Sequence, residues 1–497
     1  MRAVIFGADK LGVDFYFAVR ANEKIICFID NNVEKQGKEI FGIKILSADK
    51  LTEMIFDRVY IASEKYFNDI MAQMKELGID QNKISLCPIQ SCVKKKALEC
   101  LNQFHETCKK QDYDNVWEKI REKYKHIKVH KLTVAAIGEL LMRFFIIMNT
   151  CKDDKVLRIF IPEAKSIDTE RVCNRYLVEL LGRKIHIVQE DDVAFWMYII
   201  KTYSEDMDFS EYDKYSSRNG YLAYKGILDG HNNWFNDAEI ENGNNALEQM
   251  GIKEPFVCFA ARTDTYNKKT IGQDFDYGYR NMKFSDYKMA IKYLQKQHIT
   301  AVRMGRMETP MKKMNNCIDY AGLYADDFKD LFLSSRCKFM VASATGAIFM
   351  AGLFGKPVIM VNTVPVSFGM SGTLYTDKDL YIPKKYYDIN RDRYLTLREM
   401  LKADMQCSIY GKRYAEKGIK FIDNTPEEIA AVVQEMIRKI DGTWQDDIDD
   451  QKNHERYLEI YQEMKRESRS NPDVWTGEPV PYRIATTYLR DNLYLLE

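Results

Sequence analysis

Three arginines and one small turn are the residues of this chain best suited to hold an anion. Arg262 follows the apolar run FVCFA, Arg303 lies near the end of TAVRMG, and Arg280 stands between them in DYGYRN. The turn is Ser343-Ala344-Thr345-Gly346, set between apolar FMVA and apolar AIFMAGLFG. Guanidinium groups stay charged and donate two parallel hydrogen bonds, which suits phosphate oxygens. Small residues at a turn let backbone approach a ligand, and a helix starting there would aim its positive end at the same spot. Two further side chains could move a proton: Glu139, directly after Ile137-Gly138, and His231 in LDGHNNW. Glu139 could equally cap its own helix.

For these groups to meet, the arginines must stand at the carboxyl ends of parallel strands, with the turn beside them. The chain has that rhythm. Residues 1–92 alternate strand and helix: AVIFG, a helix from Leu11, IICFID, VYIAS, a helix around Met71 to Leu77, then ISLCP. This predicts a small doubly wound parallel sheet. Residues 93–126 read as a charged helical linker. A second block, 127–250, supplies the strand and helix of HKLTVAAIGELLMRFFIIM and the strands LRIFIPEA and KIHIVQED, with polar loops expected from about Ser204 to Asn245. A third, 251–440, supplies FVCFA, TAVRMG, KFMVAS and PVIMV, separated by helices at Asp286–Gln297 and Asp326–Ser335. Its last helix, Pro426 to Ile440, follows an N-cap signal in Asp423-Asn-Thr. Residues 441–497 form a charged helical tail. The expected fold class is α/β, an N-terminal Rossmann-like domain followed by two facing Rossmann-like lobes.

The first turn, Gly7-Ala-Asp9-Lys10-Leu-Gly12, precedes Asp30 at the end of the second strand, about where a ribose-binding acid belongs in a dinucleotide fold. Gly7, Lys10, Gly12 and Asp30 are therefore candidate nucleotide ligands. The middle glycine is replaced by Asp9, whose charge repels a pyrophosphate and which Lys10 could partly offset. An NAD-dependent epimerase or oxidoreductase using this turn is the alternative enzyme reading.

Composition narrows the field. Lys+Arg and Asp+Glu are both 73, leaving no basic field to collect nucleic acid. The 11 cysteines are scattered without C-x-x-C pairs, which fits free thiols in the cytosol better than a disulfide framework or a zinc site. The N-terminus opens on a strand and does not read as a signal peptide. The apolar run Phe339 to Gly355 approaches a membrane span in length, but its Ser, Thr and glycines favour a buried βα unit. D-x-D pairs at Asp274/Asp276, Asp377/Asp379, Asp112/Asp114 and Asp206/Asp208 are as many as chance supplies, and only the first lies near the arginines. No metal and no cofactor are expected.

FVCFAARTDTY, YRNMKFSDYKMAIKYL, AVRMG, CIDYAG, FKDLFLSSRCKFMVASATGAIF and FGKPVIMVN occur in order and resemble a bacterial family of GT-B glycosyltransferases of surface-polysaccharide loci. The likeness spans roughly residues 127–497. It implies a nucleotide-sugar donor in the third block, with its diphosphate on Ser343, Thr345 and Gly346 among Arg262, Arg280 and Arg303. It further implies a glycan acceptor in the second block; for an inverting transfer Glu139 or His231 is the candidate base, whereas a retaining transfer needs no protein base there. An acceptor carried on a membrane would bring the protein to its periphery. Family members more often show a further Ser or Thr in the turn, so the hydroxyl that meets phosphate is left open. VIFGADKLG, ICFIDNNVEKQGKEIFGIKILSADKL and DRVYIASEKYF resemble the N-terminal nucleotide-sugar-binding domain of bacterial sugar O-acyltransferases. A non-catalytic nucleotide-sugar-binding assembly protein is a third reading.

Overall fold

Strands buried on both faces read as unbroken apolar runs, and those runs become the sheets of this chain. The computed structural model describes residues 2–9, 12, 15–16, 23–40, 43–63, 66–86, 110–134, 136–150, 155–163, 173–188, 193–208, 234–263, 278–306, 309–366, 369, 378–407, 410–467 and 484–497. It divides into two units: Met1–Ser91 with Gly305–Lys313 and Asp319–Asp326, and the remainder of the chain.

In the first unit, Arg2–Phe6 (β1), Lys24–Ile29 (β2), Glu39–Ile40 (β3), Ile43–Leu46 (β4), Arg58–Ile61 (β5) and Ile84–Leu86 (β6) form one sheet in the order β3-β4-β2-β1-β5-β6. All pairs are parallel except β3 with β4. Alternation assigns the faces. Ala3 and Ile5 join Phe15, Phe28 and Tyr60 on one side, while Val4 and Phe6 join Cys27, Ile29, Val59 and Met74 on the other. The helix Phe67–Glu76 covers that second side.

The second unit begins with the parallel sheet of His126–Thr133 (β7), Val156–Glu163 (β8) and His186–Ile187 (β9). The described end of the expected 93–126 helical linker is helical and packed. The helix Lys110–Lys123 sets fully buried Trp117, with Tyr113 and Ile120, into one core with Ile127, Ile159 and Trp196. Positions 113, 117 and 120 share a helix face, and that apolar stripe requires a partner. The polar stretch expected to loop as far as Asn245 turns helical at Asp237, where Asn236 and Glu239 make a reciprocal capping box.

The large sheet comprises Phe256–Ala260 (β10), Thr300–Met304 (β11), Cys317–Ile318 (β12), Met340–Ser343 (β13), Val358–Thr363 (β14) and Leu380–Pro383 (β15). Its order is β12-β11-β10-β13-β14-β15, parallel throughout. The chain therefore winds outward from β10 in one direction, returns beside it at β13, and winds out in the other. The apolar run Phe339 to Gly355 is resolved as β13, a turn and the helix Ala347–Leu353. Among the described residues no helix is long and apolar enough to cross a membrane. Lys385–Asp388 (β16), Arg393–Tyr394 (β17) and Ile419–Ile422 (β18) add a small antiparallel sheet.

The C-terminal segment closes the outer edge of β15, where an unpaired strand would expose backbone donors and acceptors. Ile484 bridges Tyr381, and the Ala485 N–H donates to the Tyr381 carbonyl at 3.0 Å. His454, almost fully buried, shares a hydrogen bond of 2.9 Å with the Thr486 hydroxyl, which donates to Asp446. Burial pushes the His454 imidazole below its ordinary 6.5. The folded chain thus takes up this proton less readily than the unfolded chain. Its contribution to stability is full above about 6.5 and is lost as pH falls through the lower folded value. Thermal unfolding across that window should show a decline that His454→Gln flattens; an identical decline in the variant would assign it to other groups.

Candidate functional site

The carboxyl ends of β10 and β13 lie side by side, and the connections leaving them run in opposite directions. Such a reversal opens a crevice at the strand ends, the place where open α/β sheets receive ligands. Two arginines stand there. Arg262, two residues beyond β10, donates its backbone N–H to the Ser343 hydroxyl at 2.8 Å. Its Nη1 reaches the Ala344 carbonyl at 3.4 Å, and Nη2 of Arg280 reaches the same oxygen at 3.0 Å. The turn bearing Arg280, Gly278–Arg280, is docked by the Met282 N–H on the Arg262 carbonyl at 3.1 Å. Two guanidinium groups are thus held against one main-chain oxygen at the lip of the crevice.

The third arginine lies on β11, the strand beside β10. Arg303, 8% exposed on β11, lies with its guanidinium 5.4 Å from the ring centre of Phe284, just beyond the Arg280 turn. It packs over Phe284 beside the turn that carries Arg280.

The small turn is committed to its own architecture. Ser343 is fully buried and ties the two strand ends together through Arg262, while the Thr345 hydroxyl accepts the Ala347 N–H at 3.0 Å. Gly346 lies against a second helix start: a Cβ there would come within 3.0 Å of the Gly138 nitrogen. The helix Ala347–Leu353 has only 7 residues, so its dipole adds little and the arginines supply the field. Glu139, in the first turn of Ile137–Thr150, pairs with Arg143 one turn on at 3.2 Å. Glu139, expected to act as base or to cap its own helix, thus stands in the helix's first turn with one oxygen ion-paired. His231 lies outside the described residues, as do Asp274 and Asp276. Among the described residues no group of three or more His, Cys, Asp or Glu could hold a metal.

In the first unit, Gly7 adopts φ +113°, and a Cβ at Gly12 would collide with the Gly7 carbonyl at 1.8 Å, so both glycines serve the turn itself. Asp30 is engaged within the protein. Its carboxylate accepts the N–H groups of Ala8 and Asn32, each at 2.9 Å, and Lys35 at 3.0 Å. Burial pushes the Asp30 carboxyl up, but these hydrogen bonds outweigh it and hold the group below the usual carboxylate range. Lys35 also reaches Asp9 at 2.5 Å. The partner expected for Asp9, Lys10, lies outside the described residues, and Lys35 neutralises the charge instead.

Of four residues beside the crevice, Asp423 and Asn424 were read in the sequence only as an N-cap signal, and Asn362 and Lys384 were given no role. Asn362, at φ +52°, and Asn424 exchange backbone N–H to side-chain oxygen bonds of 2.6 Å in both directions. Lys384, at the end of β15, meets Asp423 and the Asn281 carbonyl. The signal available was KDLYIPKK, an apolar strand ending in lysine, which defines the sixth strand of the sheet.

With the site in view, the likenesses to known proteins can be placed. Residues 1–85 match the family described as C2185-like, N-terminal. The match covers the first unit's sheet and leaves most of the chain unassigned. No curated relative matches the chain. Among solved structures, the chain is similar to a family 9 glycosyl transferase of Veillonella parvula at 9% identity, with 64% of this chain and 98% of the other covered and a TM-score of 0.34. It is also similar to the ADP-heptose LPS heptosyltransferase II of E. coli at 12% identity, with 64% and 99% covered and a TM-score of 0.35. A UDP-GlcNAc 2-epimerase of Methanocaldococcus jannaschii has 12% identity, 88% and 99% covered and a TM-score of 0.21.

Proposed function

We propose that residues 127–497 form a GT-B glycosyltransferase, moving a sugar from a nucleotide-sugar donor to a glycan or other surface-polysaccharide acceptor without a metal. The observation that carries this reading is the pair Arg262 and Arg280, gathered on the Ala344 carbonyl at the reversal point of a six-stranded parallel sheet. Two planar, permanently charged donors at a crevice suit a diphosphate, whose oxygens offer several acceptors within reach of both. Ser343 and Gly346 position that pair and its turn, and Arg303 supports it from behind through Phe284. The acceptor would enter from the side of Ile137–Thr150, with His231 as the candidate base and Glu139 available only after leaving Arg143. This reading places the protein in the cytoplasm, at a membrane only where its acceptor is.

For residues 1–92 we propose a nucleotide-sugar-binding domain akin to that of sugar O-acyltransferases, with a regulatory or assembly role. Asp30 is taken up by its own turn, which speaks against NAD chemistry there.

Isothermal titration of the full chain with UDP-, GDP-, CMP- and dTDP-sugars tests the donor site. One nucleoside diphosphate sugar should bind saturably and be hydrolysed slowly without acceptor. Failure of every nucleotide to bind would remove the reading, and binding without any turnover would favour the assembly-protein alternative.

A further inference from the structure

Lys384 is an ammonium group 3% exposed at the carboxyl end of β15. Burying such a group strips its hydration, which is tolerable only with good partners. It has them on two sides: the Asp423 carboxylate at 2.5 Å and the Asn281 carbonyl at 3.1 Å. Asp423 keeps 44% of its side chain exposed, so the pair is open to water on one side only. The inner contact is the informative one. Asn281 directly follows Arg280, and its carbonyl belongs to the turn that presents that arginine to the crevice.

Uncharged groups also hold the turn. Met282 donates to the Arg262 carbonyl, and its side chain is buried beside Asn362, whose Nδ2 lies 3.7 Å from the sulfur. The Tyr279 ring stacks on Phe421 with centroids 5.4 Å apart. Lys384 therefore joins three parts of the chain at one point: the Arg280 turn, the last strand of the large sheet, and the Asp423–Asn424 link into the helix Pro426–Ile440.

We propose that Lys384 is a positioning residue for Arg280. By fixing the Asn281 carbonyl to the end of β15, it holds the arginine's turn where the guanidinium meets Ala344 and faces the crevice. The inference rests on the anion-binding reading of Arg262 and Arg280 and adds the group that keeps one of them in place. A direct contact between Lys384 and the anion is the competing assignment.

A double-mutant cycle separates the two. With inorganic pyrophosphate as probe, Lys384→Met in the full chain should weaken binding roughly tenfold, the scale of effect that follows a small misplacement of a binding group. In the Arg280→Ala background the same change should cost less than about twofold, because the residue it positions is already gone. Amide hydrogen exchange gives a readout free of ligand: in Lys384→Met the Met282 amide should lose protection while those of β10 and β13 keep theirs. Should Lys384→Met not fold, Lys384→Gln retains a neutral donor and should give the same pattern in milder form. An equal loss of affinity in both backgrounds overturns the proposal and assigns Lys384 to the anion itself. Unchanged affinity or unchanged Met282 exchange overturns it as well, leaving the anion site standing if the parent protein binds. If the parent binds neither pyrophosphate nor any nucleotide, the anion-binding reading fails first and the positioning role falls with it.

Discussion

Replacing Arg280 or Arg262 with alanine should each weaken binding of a nucleoside diphosphate by about 1.5–3 kcal/mol, the scale of a hydrogen bond to a charged group. That corresponds to a loss of about tenfold to a hundredfold in affinity. The two effects should not add, because both side chains converge on the Ala344 carbonyl and would share one ligand. Lysine should rescue poorly at either position, since an ammonium cannot reproduce the planar fork. Arg303→Ala is the informative control: its guanidinium packs over Phe284, so the change should cost fold stability more than affinity. Titration calorimetry beside thermal unfolding of these variants would decide. Full affinity in both Arg262→Ala and Arg280→Ala would empty the crevice of its assigned ligand. A binding loss in Arg303→Ala as large as theirs would extend the site to β11.

The pattern of residues disclosed the sheets more fully than the roles of individual side chains. β1, β2, β5, β10, β11, β13 and β14 are apolar runs that no other structure would bury so completely, and each stands where its run predicts. The convergence of Arg262 and Arg280 near residues 343–346 was legible for the same reason: loops leaving adjacent parallel strands emerge at one end. What a side chain does at that end depends on neighbours distant in sequence. Ser343 looked like a ligand for phosphate because small hydroxyl residues often are, yet the partner that takes its oxygen is the backbone of Arg262, far upstream. Asp30 looked like a ribose acid by position alone, and Lys35, five residues on, had no signal to mark it as the partner. The small antiparallel sheet and β15 were missed because short strands rich in Tyr and Lys lack a distinctive period. Lys384 went with them, since a buried lysine is recognisable only once its strand is known and the segments that cover it are in place.

Glu435→Ala should be the most destabilising single change outside the sheets, by about 3–5 kcal/mol, as expected when a buried, fully bonded charge is removed and its partners are stranded. Glu435 is completely buried in the helix Pro426–Ile440. One carboxylate oxygen accepts the Thr486 N–H at 3.0 Å and faces Lys439 at 3.1 Å. The other accepts the Thr487 N–H at 2.9 Å and its hydroxyl at 2.8 Å. Alanine would leave two helix-start donors, a hydroxyl and an ammonium without their acceptor. Glu435→Gln keeps one acceptor oxygen and points an amide N–H at the remaining donors, so it should recover part of the loss and no more. Urea unfolding measures the energy, and limited proteolysis near the C-terminus reports whether the segment has undocked. The consequence should reach the crevice, because the same segment sends the Tyr488 hydroxyl to the Pro383 carbonyl at 3.2 Å, one residue before Lys384. Undocking therefore predicts weaker pyrophosphate binding in Glu435→Ala even under conditions where the sheet stays folded. A variant within about 1 kcal/mol of the parent, with its C-terminus still protected, would show that the Arg490–Asp450 pair and the segment's other bonds hold it without Glu435.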